Sequence, residues 1–175
     1  AGTWAMTMLP KIGIHIPLIG TEECVAYFHP KKGAHIPGHT YRDMPIFIPH
    51  FDHEIVTELM QKDLSHDSAA NWGYYGLPEV ELPGVKIAAH HTGVSFTDPD
   101  KRPSIVNPHA SQNRRDEILN SLEVLISHLF PHLERKPLFT QHCLYTSSAD
   151  HGFVIDLHPK DSRIAIACGL SGHGF

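Results

Sequence analysis

Apolar and polar positions alternate in short runs along most of the chain, and helical spacing is clear only once. Between Ser111 and Phe130, residues Ile118, Leu122, Leu125, Ile126 and Leu129 recur every three or four positions, which predicts an amphipathic helix stopped by Pro131. Ahead of it, strands are expected at Cys24 to Phe28, from Tyr74 into a turn that ends at Gly84, and at Val85 to His91. Met44 to Ile48 reads as a short edge strand, because proline stands at both sides of it. Three more strands follow the helix, at Phe139 to Tyr145, Phe153 to Leu157 and Ile164 to Cys168. A short helix is expected over residues 4–12 after a Thr3 cap, ended by Pro17, and another at His53 to Lys62. Lys31 to Arg42 and Asp98 to Pro103 are loop-like, and residues 63–71 read as an exposed polar insertion. Strands outnumber helices with few strand-helix-strand alternations. The expected class is therefore α+β, with a mixed, largely antiparallel sheet and flanking helices.

Composition narrows the function classes. With 41% apolar and 19% charged residues, the 175-residue chain is globular and has enough material for a core. Fourteen basic against nineteen acidic residues give −5, the wrong sign for a nucleic-acid surface. No apolar run approaches the ~20 residues of a membrane span. The three cysteines, Cys24, Cys143 and Cys168, are widely spaced and form no disulfide framework or metal knuckle, so a reducing compartment is expected. Histidine, at sixteen residues, is the unusual count.

Four segments carry candidate chemistry. In Val85–His91, strand alternation puts Lys86, Ala88 and His90 on one face. A lysine in an apolar strand is costly unless solvated or paired. Lys86 therefore either points to water from an edge strand or sets a cation beside an imidazole, with Ala88 leaving room for a ligand. In His142–Thr146, Cys143 and Tyr145 share a face; Cys143 is either a small buried hydrophobe or a reactive thiol. The Gly169–Phe175 turn, with Ser171, Gly172, His173 and Gly174, permits close backbone approach but is not a dinucleotide fingerprint. His50, Asp52, His53 and Glu54, with the His90–His91 pair, offer metal-ligand types without a recognisable spacing, and solvated histidines on an acidic surface loop are the favoured reading. There is no G-x-S-x-G elbow of a hydrolase.

In combination these segments resemble one family. Cys143-Leu144-Tyr145-Thr146, Asp150, Phe153-Val154-Ile155-Asp156 and Gly169-Leu170-Ser171-Gly172-His173-Gly174-Phe175 are similar to the C-x-Y-T-x-T-P-D, F-x-I-D and G-F-S-G-H-G-F-K pattern of the flavin-dependent sarcosine oxidases, which include N-methyl amino acid oxidases and L-pipecolate oxidase. Gly2-Thr3-Trp4 resembles that family's G-A-W, with Ile16-Pro17-Leu18 at family spacing. Tyr74–Pro78 and Pro83–Lys86 resemble its Y-Y-G-x-P and G-L-K strands, and Asp98–Pro103 a loop of plant relatives. Departures are Ser148-Ala149 for Thr-Pro, Leu170 for Phe, and Glu22 where relatives often carry arginine, so that neighbourhood is expected to differ.

The resemblance implies an FAD cofactor bound covalently through Cys143. It implies that Lys86 lies near flavin N5 and acts in oxygen activation, and that His90 and Tyr145, with Tyr75, line the substrate cavity. It puts Gly172, His173 and Gly174 beside the flavin pyrimidine. The implied reaction is oxidation of the C–N bond of a small secondary amino acid by dioxygen, with hydrogen peroxide as co-product. On this reading residues 1–15 close an FAD-binding segment. Residues 16–138 form the substrate domain with an insertion near 50–70, and 139–175 form a flavin-facing segment at the C-terminal edge of an incomplete FAD-binding α/β domain. The N-terminal Rossmann half of the same parent chain is then the missing partner, and the piece alone is expected to be inactive. A cytoplasmic location, or a peroxisomal one in a eukaryote, goes with it. Two other readings stand beside this one: a histidine-rich metal-binding module, and a non-catalytic remnant of the flavoprotein fold.

Overall fold

The computed structural model describes residues 2–32, 38–50 and 72–174. The expected helix at 53–62 and the insertion at 63–71 lie outside the described residues. The chain divides into two compact units. One comprises Ala1–Glu23, Gly93–Arg114 and Cys143–Phe175; the other comprises Cys24–Thr92 and Arg115–His142.

The second unit is organised by strand alternation against a helix. Strand β1, Leu18–Phe28, pairs antiparallel with β3, Val85–His90, and β3 pairs antiparallel with β2, Gly73–Leu77. Directly opposed residues share a face. Cys24, Ala26, Phe28, Val85, Ile87, Ala89 and Tyr74 therefore lie together. They bury against Ile118, Leu122, Leu125 and Ile126 of the long helix. That helix spans Pro108–Leu129 and is preceded by two short ones, so Ala5–Met8, Pro103–Val106 and Pro108–Leu129 are α1, α2 and α3. Tyr74 enters this core with its hydroxyl bonded to Ser121; burial pushes its pKa up to about 12, so it stays a neutral phenol. The expected edge strand at Met44–Ile48 is absent. Only Phe47 pairs, exchanging amide bonds of 2.9 and 3.0 Å with Gly76, because Pro45 and Pro49 have no amide to extend the ladder.

In the first unit the N-terminal helical stretch is broken into turns: a 3-10 turn at Gly2–Trp4, then α1, then a second 3-10 turn at Leu9–Ile12. Thr3 is not the cap. Its side chain is buried and its hydroxyl has no partner among the described residues, while Trp4 precedes α1 without a side-chain capping bond. Gly13, at φ 77°, ends the stretch before Pro17 is reached. Ala5, Leu9 and Leu18 pack with Ile166 and Cys168 of a hairpin. The hairpin joins β6, Val154–His158, to β7, Asp161–Cys168. Residues 20–22 of β1 pair antiparallel with β4, Val94–Phe96. Here two neighbouring glutamates are fully used. Glu22 accepts the Ser104 amide at the start of α2 at 3.0 Å and the Ser111 hydroxyl at 2.7 Å, with Arg102 at 3.8 Å. Glu23, 1% exposed, accepts from Thr21 Oγ1 and the Gly93 amide at 2.5 and 3.1 Å. A buried carboxylate persists only with such partners.

Leu122 is fully buried between helix and sheet. Leu122→Ala is expected to cost about 3 kcal/mol in denaturant unfolding, while Ile105→Ala, at an exposed helix position, changes stability by less than about 0.5 kcal/mol.

Candidate functional site

Strand β5, Phe139–Ser148, delivers the first group of candidate residues. Its outer half is exposed and its last four residues are buried. Cys143 is therefore the exposed cysteine of the three, while Tyr145, two positions on, is buried. The strand end is held by the glycine-rich turn that follows β7. Ser147 bridges Leu170, and the Ser171 amide donates to Thr146 O at 2.9 Å. Ser171 and Gly172 then adopt left-handed backbone at φ 51° and 79°. Gly172 has no alternative: a Cβ there would stand 2.2 Å from the Tyr145 ring.

These two segments wall a cavity of about 430 Å³. Cys143, Tyr145, Thr146, Cys168, Ser171, Gly172 and Gly174 are among its lining residues, and Gly2 completes it from the N-terminal segment. His173 does not line it. Its ring lies 4.9 Å from that of Phe153, and the residue is exposed. Burial pushes the Cys168 thiol up, which keeps it protonated and unreactive. Beyond the strand, Asp150 closes the β5–β6 turn, accepting from the Gly152 amide at 3.0 Å and Ser148 Oγ at 2.9 Å. Those two bonds, the amide first, hold its carboxyl below the usual range.

The second group belongs to the other unit. Lys86, Ala88 and His90 lie on the β3 face opposite the helix-packed core, as alternation requires. The expectation of an edge strand does not hold, since β3 is flanked by β1 and β2. Nor is there room over Ala88, which is 1% exposed and packed among Val25, Tyr27, Tyr75 and Phe139. The half-buried Lys86 ammonium sits 5.9 Å from the Tyr75 ring centre, and the His90 ring meets Tyr75 edge-on at 6.0 Å. A cation is tolerated in the middle of a sheet because an aromatic face and solvent share its charge. Tyr27 and Phe139 stack at 4.4 Å, and Tyr27 donates to Gln141 at 3.0 Å.

Structure thus gathers Lys86, His90 and Tyr75 on one sheet face, and Cys143, Tyr145, Gly172 and Gly174 around one cavity. Sequence reading missed Thr146, Ala167 and Leu170 as lining residues. They come from strand ends, and the run of β7 into the glycine turn was their one signal. Among the described residues, no group of three or more histidine, cysteine or acidic side chains is arranged to hold a metal. His53 and Glu54 lie outside the described residues. No described helix is long and apolar enough to cross a membrane.

The fold defines a class. The structure superposes along its whole length on 36% of the fructosamine oxidase from Aspergillus fumigatus, with a TM-score of 0.53 at 18% identity, a likeness of fold alone. No protein-family model matches the chain. Curated relatives carry it further. The chain is 30% identical over 174 residues to the monomeric sarcosine oxidase of Bacillus sp. (strain NS-129), covering 99% of itself and 38% of that protein. It is 31% identical over 183 residues to the peroxisomal sarcosine oxidase of Homo sapiens, covering 100% of itself and 38% of that protein. Along its whole length the chain is similar to sarcosine oxidases at about 30% identity, and it spans a little over a third of the length of these relatives.

Gly172→Ala is expected to lower stability by about 2 kcal/mol or more, through the clash with Tyr145 and the left-handed backbone, read as a fall in unfolding midpoint. Asp150 has a folded pKa below its unfolded one, so its contribution is present above the unfolded carboxylate range and lost as pH falls through the folded value. The Gly152 amide should therefore lose exchange protection in acid, and Asp150→Asn should remove that pH dependence.

Proposed function

We propose that this chain is the substrate-side and flavin-facing portion of an FAD-dependent amine oxidase acting on a small secondary amino acid. The observation that carries the reading is the cavity of the first unit. It puts an exposed cysteine, a buried tyrosine and a glycine turn too tight for a Cβ around one space, in a chain homologous along its length to sarcosine oxidases. These residues fit a flavin ring. Gly2, Gly172 and Gly174 line the cavity with little side-chain bulk, and the exposed Cys143 borders the same space. The buried Thr146 hydroxyl, without a partner among the described residues, is a free hydrogen-bonding group beside it.

FAD, when bound, supplies the two-electron acceptor for oxidation of the C–N bond. Cys143 would hold the cofactor through its sulfur. Lys86 keeps a positive charge where electrons pass to dioxygen, which stabilises negative charge as it develops on oxygen. His90 and Tyr75, in ring contact, are assigned to orienting the amino acid, and Tyr145 is assigned a substrate role from its own unit, where it lines the cavity. The imine product would hydrolyse in water, and dioxygen would take up the two electrons with two protons and leave as hydrogen peroxide. The domain assignment follows: residues 1–15 and 139–175 serve the flavin, 16–138 the substrate, and a nucleotide-binding half supplies the rest of the cofactor site. A peroxisomal location accords with the name of the human relative.

Acid denaturation of the holoprotein tests the attachment. Yellow colour should stay with the peptide that contains Cys143, be absent from Cys143→Ser, and persist in Cys168→Ser. Colour lost to the supernatant overturns covalent binding. Lys86→Met should slow flavin reoxidation by oxygen about 100-fold or more while leaving reduction by sarcosine nearly unchanged. Equal slowing of both half-reactions overturns the role given to Lys86.

A further inference from the structure

His173 stands between two glycines that line the cavity, yet its ring is directed elsewhere. Its Nε2 lies 3.3 Å from the carbonyl oxygen of His151, and its ring lies against Phe153. A carbonyl can only accept, so Nε2 carries the proton and donates. His151 is itself in the left-handed region, at φ 58°, which few non-glycine residues occupy without support. The support is at hand. Asp150 takes the Gly152 amide at 3.0 Å, Ser148 Oγ shares its one proton between the Asp150 carboxylate at 2.9 Å and Gly152 O at 2.6 Å, and the His151 amide donates to Ser148 O at 3.2 Å. The turn at 148–152 is thus closed by a carboxylate, and its His151 carbonyl meets an imidazole twenty-two positions away.

We infer that His173 is a positioning residue that latches the glycine turn to the β5–β6 turn, and that Asp150 is the residue that sets the latch. The latch acts from outside the cavity. It fixes the backbone of Gly172 and Gly174 through the side chain of the residue between them, so the wall stays rigid although its glycines have no side chains to anchor it. Asp150 has this effect without touching the cavity, of which it is not a lining residue. The inference rests on the flavin reading only for its consequence, a preformed cofactor wall. The bonds themselves require no flavin, so the test contains none.

The test is nitrogen-15 NMR of the chain, reading two signals: the ring protons of His173, displaced by the Phe153 ring, and exchange of the residue-173 amide, which donates to Leu170 O at 3.0 Å. Asp150→Ala should return the His173 ring signals to those of an exposed histidine and speed that exchange about tenfold. Asp150→Asn, which keeps an acceptor for Gly152, should preserve both. The double variant Asp150→Ala/His173→Ala should exchange no faster than His173→Ala alone, because both changes release one latch. Amides of β3 in the other unit report whether each variant is folded. Unchanged His173 signals in Asp150→Ala, or additive effects in the double variant, overturn the inference. If Asp150→Ala does not fold, His173→Gln against His173→Ala decides. Glutamine can donate to the His151 carbonyl and should keep the amide protected, and equal exchange in the two variants overturns the latch.

Discussion

The register of β1 against β3 is the constraint from which the second unit follows. With Tyr27 opposite Lys86 and Ala26 opposite Ile87, one face is apolar but for the Tyr74 hydroxyl and closes on α3, while the other carries Lys86 and His90. A slip of one residue would exchange the faces. It would drive the Lys86 ammonium into the space of Ile87, among fully buried aliphatic side chains, at a cost that no partner there could offset. The lysine therefore fixes the register as firmly as the isoleucine does. A residue proposed for oxygen chemistry is also one that keeps the sheet in the only pairing that presents it. Tyr75, opposite Ala88, gives the cation an aromatic neighbour and so lowers the cost of holding it between two strands.

The first unit solves a different problem, since one wall of its cavity is a glycine-rich turn. Backbone close to a ligand is mobile unless its hydrogen bonds are made elsewhere. Here the Ser171 amide is given to Thr146 and the Ser171 hydroxyl to Gly169, so the turn's polar groups are spent on β5 and on itself. The Tyr145 ring occupies the space a Cβ would need at Gly172. Tight backbone, tyrosine and glycine thus depend on one another, and changing any one of them opens the wall.

What could be read from the sequence follows from which signals are local. Helix α3 was legible because Ile118, Leu122, Leu125 and Ile126 repeat at the helical period and bury as a stripe. Strand β1 was read five residues long and is eleven, because Thr21, Glu22 and Glu23 look like a polar loop. Their strand conformation depends on the Gly93 amide, the Ser104 amide and the Ser111 hydroxyl, 70 to 89 positions away. The room expected over Ala88 was likewise a non-local matter, since Phe139 and Tyr27 fill it from other strands. The candidate site was legible only as an ordered set of motifs. Lys86, Cys143 and His173 are individually ordinary, and no local pattern distinguishes a lining glycine from a turn glycine. His173 illustrates the limit: its position in the motif was readable, the direction of its ring was not.

The cysteines show how geometry sharpens a role that resemblance only assigns. Two thiols, Cys143 and Cys168, border the same cavity, so proximity alone does not choose between them. Their strands do. Cys168 lies on the β7 face that packs with Leu18, Ala5 and Leu9, where burial raises its pKa and suppresses the thiolate on which its nucleophilicity depends. Cys143 lies on the exposed half of β5, where a thiolate can be solvated and its sulfur can approach a carbon electrophile. A covalent bond to a cofactor needs an accessible attacking sulfur, and of the two cavity cysteines Cys143 is the exposed one. Its exposure follows from where it stands along β5, on the half of the strand ahead of the buried end, and this supports the attachment proposed from the motif.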